Sequence, residues 1–189
     1  LLWIHGGGLH SGNKSKISEV AKRFVAEGYG VASVNYRLYP DAKYPTQIQD
    51  VARAFAWVHK NIASKGGDPN LLFVAGGSAG GHLTALLATN HSFLKEQGIE
   101  PTEIRGAIAV SGLMDVSQVG AERRKGIWGE DPETYRTASP LHHVSKTAPP
   151  LLLMHAEHDT PERKNQNQKM YEALIKAKHN RVEIHELKN

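Results

Sequence analysis

Residues 71–80 read Leu71-Leu72-Phe73-Val74-Ala75-Gly76-Gly77-Ser78-Ala79-Gly80. The apolar run at 71–75 predicts a short buried strand, and residues 79–90 predict a helix. Between them lies Gly-x-Ser-x-Gly. A strand that turns into a helix this abruptly strains the serine backbone and leaves no room for side chains on its neighbours, which accounts for the glycines. The strain lifts the Ser78 hydroxyl clear of the sheet and sets it beside the positive end of the helix. A second segment agrees with the first. His5-Gly6-Gly7-Gly8 follows the apolar run Leu1-Leu2-Trp3-Ile4, so a loop rich in free backbone N–H groups leaves another strand.

Working outward, strands and helices alternate. Residues 1–4 predict a strand. Ile17, Val20, Ala21, Phe24 and Val25 recur at helical spacing, and Gly28 closes that helix. Residues 30–35 predict a strand. Ile48, Val51, Ala52, Phe55 and Ile62 mark a second helix, ended by Gly66-Gly67-Asp68-Pro69. Residues 104–110 predict a strand, 151–154 another, 162–178 a helix and 182–187 a last strand. Helical crossovers of this length require a parallel sheet covered on both faces. The predicted fold class is therefore α/β, a three-layer α/β/α sandwich with a mostly parallel sheet. Residues 112–150 break the alternation. They hold two short helical candidates at most, with Pro132, Pro140, Pro149 and Pro150. They read as a lid-like or substrate-selecting insertion in a single domain spanning 1–189.

Bulk properties narrow the chemistry. The chain has 189 residues, enough for one domain with a substantial core. A net charge of +4 with the signs well mixed does not argue for nucleic acid. There is no cysteine, which rules out thiolate nucleophiles, disulfides and zinc–thiolate sites within these residues. No apolar stretch approaches a membrane span. The sequence begins inside a strand and ends as a loop opens, so it reads as cut at both ends, and neither compartment nor oligomeric state is assigned.

A serine hydroxyl is a weak nucleophile until a base removes its proton, and the base is normally a histidine oriented by a carboxylate. The acid is expected just after a strand C-terminal to the nucleophile. Asp159, in Leu151-Leu152-Leu153-Met154-His155-Ala156-Glu157-His158-Asp159, fits that place. Glu157 is its rival, and helix capping before Pro161 is an alternative role for Asp159. The histidine is expected in the loop after the last strand, beyond Asn189. His185 lies inside that strand and His179 before it. A developing oxyanion needs fixed donors, and the amides of Gly7, Gly8 and Ala79 are the candidates; His5 reads as a brace for their loop. His142-His143 and His155/His158 lack metal-site spacing, so no metal is expected. Arg123-Arg124-Lys125 reads as a solvated face.

Together these motifs resemble the α/β-hydrolase superfamily, and within it the hormone-sensitive-lipase-like and feruloyl-esterase-like carboxylesterases. The resemblance covers essentially the whole chain. It rests on His5-Gly6-Gly7-Gly8, on Val34-Asn35-Tyr36-Arg37-Leu38 with Pro40 and Pro45, on Gly76-Gly77-Ser78-Ala79-Gly80-Gly81-His82, and on the segment from Ser139-Pro140-Leu141 to Asp159. Gly77 stands where many relatives carry an acidic or polar residue, and Leu9 where an aromatic is common. The resemblance implies Ser78 as nucleophile, Asp159 as acid, and Gly7, Gly8 and Ala79 as oxyanion hole. It also implies that early strands and the histidine lie outside these residues. The implied reaction is two-step acyl transfer on a small-molecule or polysaccharide-linked ester, without a cofactor. Residues 112–150 would choose the substrate, with Trp128, Ile127 and Leu113 either lining the site or packing under the segment. Amide, formamide or peptide hydrolysis on the same residues, and a non-catalytic binding domain that lost its base, are the alternatives.

Overall fold

The computed structural model describes residues 1–15 and 19–188. Ile17 of the first helical pattern lies outside them. The elements are β1 (Leu2–Ile4), α1 (Glu19–Ala26), β2 (Ala32–Val34), α2 (Thr46–Asn61), β3 (Phe73–Gly77), α3 (Ala79–Thr89), α4 (Ser92–Lys95), β4 (Gly106–Val110), α5 (Ala121–Trp128), α6 (Pro132–Ala138), β5 (Leu151–Ala156), α7 (Pro161–Lys176) and β6 (Val182–Leu187). Short 3-10 turns join several of them. The predicted strand before Ser78 is shifted. It starts at Phe73 and takes in Gly76 and Gly77, because their backbones still pair with Ala109 and Val110 of β4.

The described strands form one sheet in the order β2-β1-β3-β4-β5-β6, and every pairing is parallel. From β1 the chain steps to one side, to β2, and then returns past β1 to build the rest. The winding therefore reverses between β1 and β3. At such a switch point the loops leaving the two strands diverge, and a crevice opens at their C-terminal ends. The Gly6–Gly8 loop and Ser78 leave these two strands.

Strand alternation divides the core between two unequal faces. On one face Leu2, Ile4, Val74, Ala107, Ala109, Leu151 and Leu153 pack with Phe55 of α2, Leu83 and Leu87 of α3, and Met170 and Leu174 of α7. On the other, Trp3 and Ala75 pack with Ala21 of α1. Helix α2 buries Ile48, Val51, Ala52 and Phe55 of the predicted stripe, and Val58 with them, whereas Ile62 lies past its end in a 3-10 turn. Helix α3 is buried on every side, which its charge-free sequence permits: the sheet lies under it and residues 112–143 close over it. Among the described residues no helix is long and apolar enough to cross a membrane.

Candidate active site

Strand β3 delivers its last residues into a turn too tight for ordinary backbone. Ser78 sits at φ 55°, ψ −117°, a conformation rarely adopted by a residue with a side chain. Close packing enforces it. A Cβ on Gly80 would lie 2.0 Å from the Ile4 carbonyl oxygen, so α3 enters against the bare backbone of β1. Ser78 N–H donates to Val110 O at 2.8 Å, and Ser78 O accepts from His82 N–H at 2.9 Å. Its hydroxyl makes no cap bond to α3. Ser78 is exposed while Gly76, Ala79 and Gly80 around it are buried. The result is a free hydroxyl standing on a rigid floor.

The glycine loop lies against this turn. A Cβ on Gly6 would be 3.5 Å from Ser78 Cβ. Gly7 has φ 112°, and its carbonyl accepts from His10 N–H at 3.2 Å and Ser11 N–H at 3.0 Å. That curls the loop back so tightly that a Cβ there would reach within 2.2 Å of Ser11 O. His5 braces it from below. Its ring stacks on Tyr36 at 4.3 Å, its Nδ1–H donates to Gly6 O at 2.7 Å, and Tyr36 O–H donates to His5 O at 3.0 Å. The tyrosine-rich stretch after β2 is thus a buttress for the loop, and Tyr39 N–H adds a bond to Leu9 O at 2.8 Å. Gly6, which leads into Gly7 and Gly8, is thus packed against Gly77 and Ser78.

Asp159 is reached through β4. Ser111 follows Val110 with φ 50°, and its hydroxyl donates to Asp159 Oδ2 at 2.5 Å. The same oxygen accepts Ala156 N–H at 2.9 Å. Thr160 caps α7, accepting from Arg163 N–H at 3.3 Å, so the alternative in which Asp159 caps that helix does not hold. Glu157 is exposed, and its N–H donates to Leu187 O at 2.9 Å. The end of β6 therefore lies beside the turn that carries Asp159. His185 points elsewhere. Val182 and Ile184 face the core, so His185 and Glu183 share the opposite face, where His185 Nε2 and Glu183 Oε2 lie 3.0 Å apart.

Two other histidines, His82 and His179, are held by hydrogen bonds. His82 is fully buried in α3, its Nδ1–H donates to Leu113 O at 2.9 Å, and desolvation lowers its pKa to about 4, so it is neutral. His179 Nε2–H donates to Ala148 O at 2.9 Å, and His155 Nδ1 lies 3.7 Å from Glu186. Among the described residues no three His, Cys, Asp or Glu side chains converge as a metal site.

Residues 112–150 pack down rather than open out. Leu113, Ile127 and Trp128 are all buried in the main core, and Trp128 meets His82 edge-on at 6.0 Å. Of the two alternatives for these three residues, packing under the segment is the one found. Gln166 Oε1 accepts the N–H groups of Met114 and Asp115 at 2.8 and 3.0 Å, tying the segment to α7. The basic triplet is a solvated face in part, with Arg123 and Lys125 exposed and Arg124 half-buried. Lys125 does lie in solvent with Glu130, but Arg124 lies over the Tyr135 ring at 5.2 Å and Arg123 Nη2–H donates to Gly8 O at 3.0 Å. Ser111, Arg163 and Gln166 went unread in the sequence, and Arg123 was read only as part of a solvated face. Ser111 had a signal, as a polar residue at the carboxyl end of a parallel strand; Arg123 had none.

A parallel sheet with a strained serine between β3 and α3, a glycine loop after β1 and a carboxylate after β5 defines an α/β-hydrolase. The sequence profile of the BD-FAE family matches residues 1–174, and the chain belongs to that family. It is 32% identical over 175 residues to esterase LipQ of Mycobacterium tuberculosis, an alignment covering 84% of this chain and 41% of LipQ. The chain thus spans about two-fifths of the length of the curated relatives it matches first. A truncated carbohydrate esterase from gut microbiota shares the fold with TM-score 0.86 at 20% identity, over 99% of this chain and 76% of that one. Thermogutta terrifontis esterase 2, in a form phosphonylated by sarin, superposes with TM-score 0.84 at 25% identity, over 100% of this chain and 72% of that one.

Proposed function

We propose that this chain carries the nucleophile, acid and oxyanion hole of a serine carboxylesterase. The observation that carries the reading is the exposed Ser78 at φ 55°, held against the Gly6–Gly8 loop. Ser78 Oγ attacks the ester carbonyl carbon while a base takes its proton. The carbonyl oxygen becomes an oxyanion held by the amides of Gly7, Gly8 and Ala79. One such donor contributes about 3 kcal/mol of transition-state stabilisation. The base then protonates the departing alcohol, and water repeats the attack on the acyl-serine to release the acid. Asp159 orients the base, itself fixed by Ser111 and the Ala156 amide. A histidine on the chain following β6 suits that role, because the bond from Glu157 N–H to Leu187 O starts this chain beside the Asp159 turn. Residues 112–150 select the substrate, a small or polysaccharide-linked ester. No step requires a cofactor.

The test uses the full-length protein, p-nitrophenyl acetate and a fluorophosphonate probe. Ser78→Ala is expected to lower kcat on the order of a millionfold and to abolish covalent labelling. Retained labelling in a folded Ser78→Ala variant would reject the assignment.

A further inference from the structure

Two arginines converge on this site from the elements that close it, and among the described residues neither meets a carboxylate within ion-pair distance. Arg123 reaches down from α5, is exposed, and commits one N–H to Gly8 O at 3.0 Å. Arg163, in the first turn of α7, commits one N–H to Ser111 O at 3.0 Å. One guanidinium therefore rests on the proposed oxyanion loop, the other on the residue that holds the proposed acid. Elsewhere Arg37 and Arg53 pair with Asp50, and Arg136 with Glu133.

The placement is unfavourable for the fold itself. The two guanidiniums are close enough that Arg123 helps depress the Arg163 pKa, after desolvation, with Asp159 a partial offset. A cation in the first turn of a helix also opposes the helix dipole. Fold stability gains little from gathering positive charge here, whereas an anion arriving at the mouth of the site would find two planar forks with most of their N–H donors still free.

We propose that Arg123 and Arg163 form a carboxylate-recognition site beside Ser78, making the preferred substrates esters whose acyl or alcohol half carries a carboxylate. This rests on the serine-esterase reading above. The two guanidiniums steer and orient the anionic ester while its carbonyl enters the oxyanion loop.

The experiment is pH-stat titration of the full-length protein on two matched pairs. Methyl hydrogen adipate against methyl hexanoate places the carboxylate on the acyl side. Acetylated ω-hydroxyhexanoate against hexyl acetate places it on the alcohol side. At least one pair is expected to favour the carboxylate-bearing member by about tenfold in kcat/KM at low salt, the ratio falling as salt rises. The pair that responds identifies the half of the ester that is read. Arg123→Gln is expected to collapse the ratio toward unity, and Arg163→Lys to retain more of it than Arg163→Gln. Turnover of the neutral esters without preference, or a ratio unchanged in both glutamine variants, would overturn the proposal and leave the esterase reading standing. No turnover of any of the four esters would overturn both.

Discussion

Ser78 is held up by atoms that its neighbours lack. Gly77 and Gly80 flank the same turn in different surroundings. A Cβ on Gly80 would strike the Ile4 carbonyl at 2.0 Å, whereas one on Gly77 would meet nothing within 4 Å. Gly80→Ala is therefore expected to destabilise by about 3 kcal/mol or prevent folding. Gly77→Ala should be neutral or stabilising by about 0.5 kcal/mol. Urea-midpoint measurements on both separate packing from motif membership. Ser111 makes a second residue-scale prediction. Its hydroxyl bond to Asp159 is charge-assisted, and losing such a bond costs about 2 kcal/mol. On the proposed mechanism Ser111→Ala should lower kcat about thirtyfold with little change in KM, read in steady-state kinetics. An unchanged kcat would mean that the Ala156 amide alone suffices to fix the acid.

At the scale of elements, legibility followed periodicity. The helical spacing of Ile48, Val51, Ala52 and Phe55 has one regular solution and was readable, although Ile62, read with them, falls beyond the end of α2. Helix α3 was readable from its apolar run and the elbow before it. Contacts made by side chains across loops were not, since nothing in Arg123-Arg124-Lys125 encodes a carbonyl of Gly8 over a hundred residues earlier. The joint between α3 and residues 112–119 is of this kind, and its titration tests it. His82 binds Leu113 O as a neutral ring, with a pKa near 4 against an ordinary 6.5. Above pH 6.5 it is neutral folded or unfolded and contributes no pH dependence. As pH falls from 6.5 toward 4 the unfolded chain gains the proton first, so stability is lost across that window, by about 3 kcal/mol in all. Burial also lowers His91 and His143, which adds in the same direction. His82→Asn, which preserves a donor to Leu113 O, is expected to flatten the curve of unfolding free energy against pH by the His82 share. An unaltered slope would place the titrating group elsewhere.

For the whole molecule, the two ends of the sheet are built unlike each other. The C-terminal ends of β1, β3, β4 and β5 gather Gly7, Ser78, Ser111 and Asp159, as a parallel sheet with a switch point between β1 and β3 requires. The opposite end is apolar and open. A hollow of about 510 Å³ is lined there by Phe24, Tyr29, Val58, Ile62, Leu71 and Phe73 among others, with Tyr29 and Leu71 each 57% exposed. Strand β2 pairs with β1 and shows no second partner among the described residues. Exposed apolar surface beside an open strand edge promotes self-association. Residues 1–189 expressed alone are therefore expected to bind an apolar dye and to sediment as concentration-dependent oligomers. Tyr29→Lys with Leu71→Lys should reduce both, because charge at the rim makes the hollow costly to bury against another copy. Stability should change by less than about 0.5 kcal/mol per substitution, as is usual for exposed positions. If oligomers persist with dye binding abolished, association runs through the β2 edge instead.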